Sequence, residues 1–246
     1  MTRPLALVTG SAHRLGRVFA LTLARNGYDL LLHYHSAEDE ARRTKAEAES
    51  LGSRVTLARA DLTDLAQLDS LTSALDNLIS PSNLQPSTFN LLVNSAALMT
   101  RADAASLSAA DWDAAFDLNL RAPFLLAQAA AQRMTDGGLI VNVTDVAAQK
   151  SWHVYPAYTV SKAALESLTK VLARAFAPRV RVNAIAPGLV LHSDIVSAEQ
   201  WDKMIARLPL RRPAELDEIA AALEFLLKNE YVTGQTVVVD GGYSLI

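Results

Sequence analysis

Seven short apolar runs recur along the chain, and each is followed by a stretch with helical character. This alternation constrains the fold more than any other feature. The runs are LALVT (5–9), DLLLHY (29–34), RVTLAR (54–59), FNLLVN (89–94), GLIVNV (138–143), RVRVNAI (179–185) and TVVVD (236–240). Several are almost continuously apolar, as a strand is when both its faces are covered. The stretches 15–26, 37–51, 64–79, 111–134, 157–177 and 214–229 read as helices. Strands and helices in this order predict a doubly wound α/β sheet.

With 246 residues, half of them hydrophobic, the chain is read as a single domain, 1–246, with material for a large core. SPSNLQPST (80–88) is the best candidate break, but it is short and lies between a helix and a strand. The segment 186–213 has no strand period, and its place after the sixth strand predicts a lid over the substrate. APFLLAQAAA (122–131) is apolar almost all round, which suits either self-association or deep burial. The net charge of −3 is scattered, so no basic run marks a nucleic-acid or membrane surface. Cysteine is absent, which excludes disulfides and thiol nucleophiles. Of the five histidines only His33 and His35 are close, without a nearby carboxylate, so no metal site is expected. The start, MTRPLALVTG, reads directly into the first strand, and no apolar run approaches the ~18 residues of a membrane span. A soluble, cytoplasmic protein is expected.

Two segments carry chemistry. TGSAHRLGR (9–17) joins the first strand to the first helix, where Gly10 and Gly16 suit a tight turn that holds a pyrophosphate on backbone N–H groups. In the second, Lys162 follows Tyr158 by four residues, so a helix puts both on one face, and Asp145 precedes Tyr158 by thirteen. Tyr155 competes with Tyr158 but has Thr159, not lysine, one turn on. A lysine ammonium beside a phenol is expected to stabilise phenolate and lower its pKa, making a proton donor for a group that receives hydride.

These segments join others in one order: "ADL" (60–62), "NSAA" (94–97), "LNL" (118–120), "PG" (187–188) and "VTGQTVVVDGG" (232–242). Together they resemble the short-chain dehydrogenase/reductase family over essentially the whole chain. The resemblance implies a single Rossmann-like doubly wound domain, with a seven-stranded parallel sheet, helices on both faces, a nicotinamide cofactor and, commonly, a tetramer. Arg14 stands where the family usually has glycine, and the TGxxxRxG form, "HYHS" (33–36) and Asp145 in place of serine are similar to the pteridine reductase branch.

By resemblance, Gly10, His13, Arg14, Leu15 and Gly16 of the first turn bind the cofactor. So do His33, Tyr34, His35 and Ser36, then Asp61 and Leu62 at the adenine, and Asn94, Ser95 and Ala96 at the ribose. Thr144, Tyr158, Lys162, Pro187, Gly188 and Leu189 complete that set. Asp145, Tyr158 and Lys162 are the catalytic expectation, with Asn119 holding a water behind the lysine. Arg14, Ala97, Met99, Asp145, Tyr158, Leu189, His192 and Trp201 are expected at the substrate. Residues 33–36 contain no acid to grip ribose hydroxyls, so NADPH is expected over NADH. The arginine that pteridine reductases carry before the serine is missing, leaving His13, Arg42 or Arg43 as substitutes. Met99 takes the place of the aromatic that stacks on a pterin.

The expected function is NADPH-dependent reduction of a pterin C=N bond. The rival within the family is a ketoreductase, for example on 3-oxoacyl thioesters. A cofactor-binding sensor without turnover is a third reading, which the intact Tyr–Lys pair disfavours.

Overall fold

The computed structural model describes residues 3–80, 87–192 and 196–246. Residues 81–86 of the candidate break, and 193–195 of the expected lid, lie outside the described residues. The strands are β1 (Pro4–Val8), β2 (Asp29–Tyr34), β3 (Val55–Arg59), β4 (Thr88–Asn94), β5 (Gly138–Val143), β6 (Val180–Pro187) and β7 (Thr236–Val239). They form one seven-stranded sheet in the order β3-β2-β1-β4-β5-β6-β7, with every neighbouring pair parallel.

The apolar runs are continuous because the sheet is covered twice. Ala6 and Val8 pack with Phe19 and Leu23 of α1 (Arg14–Arg25), Ala48 of α2 (Glu38–Ser50) and Leu223 of α9 (Leu216–Lys228). Their neighbours Leu5 and Leu7 face the opposite layer. There they meet Leu71 of α3 (Leu65–Ile79), Leu126 of α5 (Ala122–Arg133) and Leu172 of α7 (Pro156–Phe176). Successive side chains of a strand alternate between faces, so both sets must be apolar.

The helix expected over 111–134 is interrupted. It runs as α4 (Ala109–Phe116), a π-helical turn (Asp117–Arg121) and then α5. Pro123 lies at the start of α5 and has no N–H to return to the carbonyl of Asn119, so the ladder widens there, and the Ala122 N–H bonds instead to the Asp117 carbonyl. The apolar run 122–131 is neither wholly buried nor wholly exposed. Ala122, Leu126, Ala127 and Ala130 enter the core while Phe124 is exposed. Two helices were not expected: α6 (Ala147–Lys150), and α8 (Ala198–Arg207) within the 186–213 segment. Among the described residues, no helix is long and apolar enough to cross a membrane.

Gly16 fixes how closely α1 approaches β1, since a Cβ there would lie 2.0 Å from the Gly10 carbonyl oxygen. Backbone cannot yield as a flexible side chain does. Gly16→Ala is therefore expected to cost about 2 kcal/mol and to lower the thermal midpoint by several degrees, measured by circular dichroism.

Candidate active site

In a parallel sheet of this order, the connections from β1 and β4 leave in opposite directions and open a crevice at the strands' carboxyl ends. One wall is the turn from β1 into α1. Gly10 has φ +63°, and a Cβ on it would sit 2.8 Å from the Ala96 Cα. The two backbones touch, and only glycine allows it. Thr9 ties them, its buried Oγ1 accepting from the N–H groups of Ser95 (2.9 Å) and Ala96 (3.1 Å). His13 precedes α1 without a side-chain cap. The N-terminal N–H groups of α1 thus carry the partial positive charge of an uncapped helix end.

His33 supports this turn from below. Its Nδ1 accepts from the Gly10 N–H (3.2 Å) and its Nε2 donates to the Ala60 carbonyl (3.0 Å). One nitrogen accepts and the other donates, so the ring is neutral. Burial lowers its pKa to about 4. His33 was expected at the cofactor; at 2% exposure it lies beneath the turn as its brace. Tyr34 is likewise buried, against Ala12 and Ala41, whereas His35 and Ser36 are exposed. Of the expected substitute cations, Arg42 pairs with Glu38 (2.5 Å) and Arg43 with Glu40 (2.7 Å), both on α2 itself. Asp61 accepts from the Thr63 hydroxyl (2.7 Å) and N–H (2.9 Å), which hold its pKa below the usual carboxylate range. Leu62 is buried beside it in the core.

On the other wall, the Tyr158 hydroxyl donates to Asp145 Oδ2 at 2.7 Å. Asp145 Oδ1 accepts from the Ala147 N–H at 2.7 Å, so α6 begins by orienting that carboxyl. Lys162, one turn on from Tyr158, donates to the Val143 carbonyl at 2.7 Å, and its Nζ lies 5.7 Å from the Tyr158 ring centre. Tyr158 and Lys162 are 7% and 2% exposed. Burial lowers the Lys162 pKa to about 8, against the opposing field of Asp145. Burial also raises the Asp145 pKa.

The expected acidification of Tyr158 is not what this geometry gives. Burial, then the charge and hydrogen bond of Asp145, raise the phenol's pKa well above its ordinary value. The ammonium sits over the ring side and is engaged by a carbonyl, while the carboxyl holds the hydroxyl. Tyr158 is thus a protonated phenol coupled to a carboxyl, which is a store of protons beside a cation.

Thr144 turns away from the dyad, with its hydroxyl on the Ile185 carbonyl (3.2 Å). The Asn119 side chain clasps the backbone of Leu98, accepting from its N–H (2.8 Å) and donating to its carbonyl (2.9 Å), and also donates to Ser161 (3.0 Å). This fixes the strip Ala97–Met99 at the crevice edge. Beneath it runs a buried polar chain in which Asn94 donates to Asn142 (2.9 Å) and Asn142 to Thr169 (2.9 Å). Pro187 and Gly188 close β6, and the Pro187 carbonyl accepts from Val146. Leu189 is buried, while His192 and Trp201 meet edge to face at 5.4 Å. Arg14, at φ +52°, reaches from the first turn to the carbonyls of Leu191 (3.2 Å) and His192 (3.3 Å). It therefore joins the first turn to the segment expected to act as a lid.

Sequence reasoning assigned no role to Thr9, Ser161 or the aromatic group Trp152, Tyr155 and Tyr243. Trp152 lies 6.2 Å from Tyr155 and 6.0 Å from Tyr243, ring centre to ring centre. Lys150 donates to the Tyr243 carbonyl at 2.8 Å and to the Ile246 carbonyl, holding the chain end against α6. Asp145 and Arg207 both influence the Tyr243 phenol, though burial is the larger effect. Among the described residues no group of three or more His, Asp or Glu is placed to hold a metal.

Known proteins resemble the chain over almost its whole length. The family described as Enoyl-(Acyl carrier protein) reductase matches residues 10–244. The 1-cyclohexenylcarbonyl-CoA reductase of Streptomyces collinus is 32% identical over 254 residues, covering 99% of this chain and 88% of that protein. A 3-oxoacyl-[acyl-carrier-protein] reductase of Staphylococcus epidermidis is 31% identical over 245 residues, covering 96% and 97%. Among solved structures, FolM Alternative dihydrofolate reductase 1 from Brucella canis, complexed with NADP, superposes with a TM-score of 0.90 at 32% identity, covering 99% of this chain and 94% of that one. The chain belongs to the short-chain dehydrogenase/reductase family and is an oxidoreductase with a nicotinamide dinucleotide cofactor.

The brace beneath the turn makes stability depend on pH. His33 has a folded pKa of about 4 against 6.5 unfolded, so only the unfolded chain takes up a proton between those values. Its contribution is full above pH 6.5 and is lost as pH falls towards 4, a change of about 3 kcal/mol. Urea unfolding at pH 7 and pH 4.5 is expected to show a smaller difference for His33→Gln than for the wild type.

Proposed function

We propose that the chain is an NADPH-dependent reductase that delivers hydride to the C=N bond of a pterin-type ring, acting in the cytoplasm. The observation that carries the reading is the buried hydrogen bond from Tyr158 to Asp145 Oδ2 at 2.7 Å. The cofactor fits the residues present. The touching backbones of Gly10 and Ala96 and the uncapped end of α1 suit a pyrophosphate, and no acid occupies 33–36 to repel a 2′-phosphate. When bound, it supplies the hydride.

The protein's own part is the proton. A ring nitrogen that gains electron density needs a donor within hydrogen-bond reach. Tyr158 is a neutral phenol and can give its proton to that nitrogen. Asp145, entering the step as the protonated carboxyl that burial favours, then gives its own proton to the phenolate across the same 2.7 Å contact. The negative charge then rests on the carboxylate, where the Ala147 N–H and the Lys162 ammonium stabilise it. A serine at 145 could orient a ketone oxygen but could not supply a proton in this way. Arg14 adds a guanidinium fork suited to an anionic or carbonyl-bearing substrate. Trp152, Tyr155 and Tyr243 supply aromatic surface beside the dyad, although Met99 stands where an aromatic was expected.

A second reading, a ketoreductase acting on 3-oxoacyl thioesters, is favoured by Met99 and by the activity named for the Staphylococcus relative. Substrate turnover separates the two. The first expects NADPH oxidation with dihydrobiopterin and little with acetoacetyl thioester; the second expects the reverse. Tyr158→Phe is expected to lower kcat at least about 100-fold while leaving the NADPH dissociation constant within a few-fold. Asp145→Ser is expected to lower pterin reduction more than ketone reduction; equal losses on both would refute the proton-relay role.

The oxidoreductase is also proposed to assemble as a homo-oligomer, as a tetramer, through the apolar face formed by Phe116, Leu120 and Phe124 with Leu168 and Val171 of α7. Val171 is 60% exposed and Phe124 38%. Val171→Lys is expected to reduce the mass measured by light scattering; an unchanged mass refutes this interface.

A further inference from the structure

We propose that Arg59, at the end of β3, is the residue that recognises the 2′-phosphate and so selects NADPH over NADH. This rests on the NADPH reading and names the side chain that performs the selection. A 2′-phosphate needs a cation, and residues 33–36 include neither arginine nor lysine. Arg42 and Arg43 are each engaged by a carboxylate of their own helix. Arg59 comes from the neighbouring strand. It is the register partner of Tyr34, the last residue of β2, so one strand spacing separates it from the ribose-binding end. Its exposed side chain turns back across that gap, and Nε donates to the His35 carbonyl at 3.1 Å.

A guanidinium held through Nε keeps Nη1 and Nη2 for a second acceptor, and its planar fork matches phosphate oxygens. Among the described residues, no carboxylate pairs with Arg59. Asp61, two residues further on, accepts at Oδ1 from the N–H and hydroxyl of Thr63. His35 and Ser36 stand beside the fork, exposed, with an imidazole and a hydroxyl. The sequence hid this residue because the two strand ends, Tyr34 and Arg59, are twenty-five residues apart and meet only through parallel pairing.

Dissociation constants for NADPH, NADH, 2′,5′-ADP and 5′-ADP test the assignment without turnover. Arg59→Leu, and Arg59→Gln, which can keep the bond to His35, are expected to weaken NADPH and 2′,5′-ADP about 10- to 100-fold. NADH and 5′-ADP should change less than about twofold, which also reports an intact fold. Equal weakening of all four ligands, or an unchanged NADPH/NADH ratio, overturns the assignment. Loss of that ratio in Arg42→Ala, with Arg59→Leu retaining it, moves the role to Arg42 and overturns it too. A wild type without preference for NADPH overturns the cofactor reading and this inference together.

Discussion

The rest of the site depends on one close approach. The backbone of Gly10 lies against that of Ala96, and the Thr9 hydroxyl binds two N–H groups of the β4 connection. Each contact brings the ends of β1 and β4 together just where the chain leaves them in opposite directions. A side chain on Gly10 would fill that space. With the walls so placed, the helix end on one side and the Tyr158–Asp145 pair on the other are separated only by the crevice itself. Two buried polar devices keep the walls rigid. His33 holds the Gly10 N–H from below, and Asn119 holds both backbone groups of Leu98. Neither is mobile in the sense of a surface side chain, because an unmade bond in the interior would carry its full desolvation cost.

Electrostatics decide what the dyad can be. Three ionisable groups, Asp145, Tyr158 and Lys162, share a largely dry volume, and each is pushed towards its neutral form by burial. A dianionic pair of phenolate and carboxylate is therefore disfavoured, and the site keeps at least one proton between them. That differs from a simple tyrosine acidified by lysine. Here the ammonium is bound to a backbone carbonyl and compensates charge from a distance, while the carboxyl controls the phenol directly. An aspartate in place of a serine changes the proton capacity of the site more than its shape.

Much of the fold was legible because a sheet covered on both faces writes itself as continuous apolar runs. β2 and β5 fall on the runs read from the sequence, and the other strands shift by one or two residues. The interruption at Asp117–Arg121 was not read, although Pro123 was in view; the surrounding apolar pattern outweighed one breaker. Helix α8 was missed because the segment was searched only for a strand period, although Trp201, Met204 and Ile205 recur at helical spacing and Ser197 and Gln200 form a capping box. In the site, the spacing of Asp145, Tyr158 and Lys162 brought out the dyad, since a helix and a preceding strand place them locally. The direction of the phenol's shift was not legible, because it depends on which of two neighbours reaches the hydroxyl. Arg59 and Thr9 were not legible as site residues because they act across strands whose pairing no local pattern reveals.

Arg14 shows how a broken local rule can point to a role. At φ +52° a side chain costs about 1 kcal/mol relative to glycine. The strain is retained where the guanidinium bridges the carbonyls of Leu191 and His192. Those carbonyls belong to the segment that carries the His192–Trp201 pair, and the same fork is suited to an anion. One side chain thus ties the first turn to the backbone that follows β6, a link that a glycine at this position could not provide.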